Sequence, residues 1–140
     1  MGLKKFQLEV EENDDFLLFG LVSDFKPSKI SHFLGSISLN FERIQDLMLP
    51  DFNPKAEISF SRFACLDEEN HLDYSLITNR EFGYWLFKEL KQFNYLLIVR
   101  GGLEFFDEAS FIKECRQVKG LQFIASIENQ KLKQKLSGIV

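Results

Sequence analysis

Phe93-Asn94-Tyr95-Leu96-Leu97-Ile98-Val99-Arg100-Gly101-Gly102, residues 93–102, is the stretch that decides the fold. From Phe93 to Val99 apolar side chains fall at both parities, so a strand here is covered on both faces, and two glycines end it. It is predicted as the central strand of a sheet. Beyond it, Asp107 is placed to cap a helix in which Phe111, Ile112, Cys115 and Val118 share one face, with Gly120 as a left-handed stop. Leu121, Phe123, Ala125 and Ile127 then alternate as a last strand, so strand, helix and strand from Phe93 to Ile127 read as a right-handed crossover.

Upstream, Phe6, Leu8 and Val10 alternate with Lys5, Gln7 and Glu9, the pattern of a half-buried strand over 3–10. A polar break at 11–15 leads into the apolar run 16–23, and the two segments are predicted to pair as a hairpin. Gly20 within that run marks a bulge, the close approach of a helix or, equally, a plain cavity-limiting position. Pro27 suits a first helical turn, and Ile30, Phe33, Leu34 and Ile37 recur at the spacing of an amphipathic helix that leaves His32 in solvent. Leu39, Phe41 and Ile44 suggest a short strand between 39 and 49. Ala56, Ile58 and Phe60 open a strand reaching Cys65, the acidic turn Asp67-Glu68-Glu69-Asn70 follows, and Leu72, Tyr74 and Leu76 complete a second hairpin. In the tail, Leu132 and Leu136 lie at i, i+4 among Lys131, Lys133 and Lys135, one or two helical turns docked on a surface.

The order is β-β-α-β-β-β-β-α-β with a short C-terminal helical tail. It defines an α+β class: a mainly antiparallel sheet of about six or seven strands with two packed helices, as two layers in a single domain over 1–140. The 140 residues are 45% hydrophobic and 27% charged, a balance that supports an independent core and excludes a disordered chain. The net charge of −4 gives no basic footprint for nucleic acid. No apolar run approaches the length of a membrane span, and two tail leucines bury too little to hold a bilayer surface. The start, with Lys4 and Lys5 followed by alternation, lacks the apolar core of a secretory signal, from which a cytoplasmic location is expected. Cys65 and Cys115 have no paired spacing and are read as buried thiols.

Phe87-Lys88-Glu89-Leu90-Lys91-Gln92-Phe93-Asn94-Tyr95 resembles the bacterial IPExxxVDY family in register and without a gap. Glu89 and Tyr95 match the motif, Phe87 and Phe93 stand at its Ile and Val, Lys88 replaces its Pro and Asn94 its Asp. The turn Glu68-Glu69-Asn70-His71, the last helix and strand, and the Lys-rich tail are also similar. The family is uncharacterised, so the resemblance implies a shared fold and no activity. An amide at Asn94 cannot act as a general base, and Glu89 and Asn94 are instead expected to fix the start of the central strand through side-chain to backbone hydrogen bonds.

Residues with chemistry are few. His71 stands on a polar turn six residues after Cys65, a turn that favours polar residues whatever their chemistry, and Asp67, Glu68, Glu69, His71 and Asp73 share one loop, but no metal-ligand spacing is present, and no metal or cofactor is expected. Arg100, Gly101 and Gly102 leave the end of a buried strand, where a guanidinium and backbone N–H groups can meet an anion; with Glu89, Asn94 and Tyr95 they form the candidate binding set. No phosphate-loop glycine pattern accompanies them. The sixteen phenylalanines, against three tyrosines and one tryptophan, exceed the usual core supply. Phe82, Tyr84, Trp85 and Phe87, aromatic at both parities in a short segment, are the candidate partner surface. The expected function is therefore a small non-catalytic interaction domain that binds a protein partner or itself, with a small-molecule or anion site near Arg100, possessed of an activity or not, as the alternative.

Overall fold

The computed structural model describes residues 15–48 and 59–137. Strand β1 (Leu17–Val22) is followed by α1 (Pro27–Leu34), a 3-10 turn (Gly35–Ile37), β2 (Glu42–Met48), β3 (Ser59–Asp67) and β4 (Leu72–Thr78). Two short strands, β5 (Arg80–Glu81) and β6 (Tyr84–Trp85), precede a second 3-10 turn (Lys88–Leu90) and β7 (Tyr95–Gly101). A third 3-10 turn (Leu103–Phe105), α2 (Glu108–Cys115), β8 (Phe123–Ile127) and α3 (Gln130–Ser137) complete the order.

Six strands form one sheet in the order β2-β3-β4-β7-β1-β8, each antiparallel to its neighbours. As its composition requires, β7 lies inside the sheet, between β4 and β1, and Tyr95 to Val99 are buried without a break. Its side chains divide between two cores. Tyr95, Leu97 and Val99 join Phe19, Leu21, Ile30, Leu34, Phe111 and Cys115 under α1 and α2. Leu96 and Ile98 join Phe16, Leu18, Phe60, Phe87, Phe93, Leu132 and Leu136 on the opposite face. The expected two layers are thus three, because segment 86–93 and α3 cover the second face.

Helix α2 starts where the sequence places it: the Asp107 carboxylate accepts the Ser110 N–H at 3.2 Å. Asn129 does the same for α3, accepting from Lys131 and Leu132, and its leucines are buried in the second core. Strands β7 and β8 are parallel to each other, but β1 lies between them. The described neighbours of β1 are therefore β7 and β8, and the expected strand at 3–10 lies outside the described residues.

Two local readings change and a third is narrowed. In β2 a register shift between Ile44 and Leu47 breaks the alternation, so Leu47 is buried and Ile44 is 39% exposed. In β8 Phe123, Ala125 and Ile127 do face one side, while Leu121 and Ile124 fill the opposite core. Of the readings of Gly20, the space-limited position holds: the Phe93 ring lies over it, 2.3 Å from where a Cβ would stand, and Phe123 stacks on that ring with centroids 6.3 Å apart.

Candidate functional site

The segment 79–87 leaves the end of β4 and returns beside it, and two polar residues hold it. Asn79 is wholly buried. Its Nδ2 donates to the carbonyls of Leu90 and Phe93, each at 3.0 Å, and its Oδ1 accepts the Phe87 N–H at 2.9 Å. Its own N–H donates to the Asn94 carbonyl, and its carbonyl accepts the Leu86 N–H. One side chain thereby satisfies backbone groups of a loop that has no ladder partner. Glu81 fixes the other side: its Oε2 accepts from the Ser61 hydroxyl at 2.6 Å, the Thr78 hydroxyl at 2.9 Å and the Ser61 N–H at 3.2 Å. Hydrogen bonds to a carboxylate are the stronger kind, so β5 is tied to β3 and β4.

Between these anchors, Arg80 pairs with Trp85 and Glu81 with Tyr84, leaving Phe82 and Gly83 as a two-residue loop. Both loop residues have positive φ, 51° and 85°, as a type I′ turn requires. Asn, Asp or Gly normally occupy the first position, since a bulky side chain is strained there. Phe82 is nevertheless 90% exposed and so gains nothing from burial in its own fold. Tyr84 beside it is exposed, and Trp85 is half-buried with the Arg80 guanidinium 5.3 Å from its ring. Phe87, placed in the same cluster by the sequence, is a member of the second core. The partner surface therefore loses Phe87 and centres on Phe82.

The six candidate binding residues do not meet. Tyr95 and Gly101 stand at opposite ends of β7, roughly 20 Å apart at about 3.3 Å per residue. At one end, Asn94 Oδ1 accepts the Ser23 N–H at 2.9 Å, the expected side-chain to backbone bond. Tyr95 donates its hydroxyl to the Phe25 carbonyl at 2.6 Å, and burial, with the Glu81 charge adding, pushes its phenol up to about 12. Glu89 makes no such bond to the strand; its carboxylate meets Lys135 of α3 at 3.3 Å. Its own backbone N–H and that lysine hold the carboxyl below the usual range. At the other end, Arg100 lies over the Phe16 ring, 5.1 Å from its centroid. Gly102 donates its N–H to the His71 carbonyl, so that donor is not free for an anion. Gly101, at φ 107°, brings its Cα against the same carbonyl, where a Cβ would stand only 2.0 Å away.

Asn79 and Glu81 escaped the sequence reading because Thr78-Asn79-Arg80-Glu81 looks like an ordinary polar turn. The Phe-Gly pair between two alternating stretches was the available signal for a two-residue hairpin. Fold and site together define an antiparallel α+β sheet domain that displays an anchored aromatic hairpin. Comparison of the chain with family models, curated proteins and solved structures finds no match.

Proposed function

We propose that this chain is a non-catalytic protein-interaction domain in which Phe82 is the anchor residue for a partner. The observation that carries the reading is a fully exposed aromatic ring held at a backbone conformation unfavourable to it. Strain of this kind persists only where the surroundings over-determine it, and Asn79 and Glu81 do so. Preorganised aromatic anchors bind well because little side-chain freedom is lost on docking. Membership of the IPExxxVDY family is part of the same proposal. Its support is the match over 87–95, whose residues serve structure here: Phe87 and Phe93 enter the core, Leu90 and Phe93 give carbonyls to Asn79, and Tyr95 ties β7 to the residues before α1.

The test has two readouts. Phe82→Asn is expected to melt at or above the parent's temperature, because Asn tolerates the left-handed backbone and no buried contact is lost. A loss of stability would give Phe82 a structural purpose and remove the reason to assign it to a partner. Photocrosslinking in cells from an aryl ketone at position 82 then reads the partner. A product of twice the chain's mass identifies a second copy, and another discrete product that disappears when Glu81→Ala loosens the hairpin identifies a different protein. No discrete product overturns the proposal.

A further inference from the structure

We draw no further inference here: the strongest candidate, the outer edge of β8 with the exposed Phe123 ring at its start, pairs with no strand among the described residues, and nothing in the structure shows what covers it.

Discussion

Replacing Asn79 by alanine removes the side chain on which the loop 86–94 is organised. Three short hydrogen bonds disappear: the Phe87 N–H loses its acceptor, and the Leu90 and Phe93 carbonyls lose their donor. The further contact to the Phe87 carbonyl, at 3.4 Å, is too long to add much. A buried backbone group left unpaired costs about 1–3 kcal/mol, so three give an upper range of about 3–9 kcal/mol. Water reaches part of the loop once it relaxes, and the lower half applies, about 3–6 kcal/mol. Against a whole stability of about 5–15 kcal/mol for a single domain, this is a large fraction. At about 2–4 °C per kcal/mol the melting temperature falls by roughly 10 °C. Urea unfolding followed through Trp85, the one tryptophan of the chain, reads the change beside the loop, with the midpoint shifted and the slope retained. Asn79→Asp adds a signature in pH. Its carboxyl would face carbonyl oxygens and be stable only when protonated, so its folded pKa lies above the ~3.9 of the unfolded chain. A raised folded pKa means stability present at low pH and lost as pH rises, so the deficit against the parent grows between about pH 4 and pH 7. A loss below about 1 kcal/mol for Asn79→Ala, or a deficit independent of pH for Asn79→Asp, would refute the role given to this side chain.

Two further outcomes follow from the packing. Gly20→Ala forces a methyl group into the Phe93 ring and is expected to cost about 1–3 kcal/mol, recovered in part by Phe93→Leu; additive losses in the double variant would show that the two sites are not in contact. Tyr74 and Tyr95 ionise near 12 when folded and near 10 when unfolded, so stability is full below pH 10 and falls as pH rises toward 12. Denaturation curves across that window should show the fall, and Tyr95→Phe should reduce it while losing about 1–2 kcal/mol at neutral pH with the bond to the Phe25 carbonyl.

Much of the fold was legible because its signals are local. The run at 93–99 has no polar parity, and a strand without a wet face has to lie inside a sheet covered on both sides. Asp107 before a striped segment is a capping signal that acts within three residues of itself. The third layer was not legible, because nothing in segment 86–93 or in the tail tells which face of the sheet they cover. Misplacing Phe87 has the same origin: an aromatic next to exposed aromatics looks like them until the chain turns back.

The sequence alone determined the α+β class, the central strand, the helix capped by Asp107 and the striped helix after Pro27, all of which depend on residue type and short spacing. Tertiary structure alone decided that the Asn79 side chain would meet groups up to 14 positions away, that Glu81 would reach back to Ser61, and that Phe82 would be left outside. Those facts depend on distances between remote backbone segments. Such distances are set by how two cores close around one sheet, and no local pattern of side chains carries them.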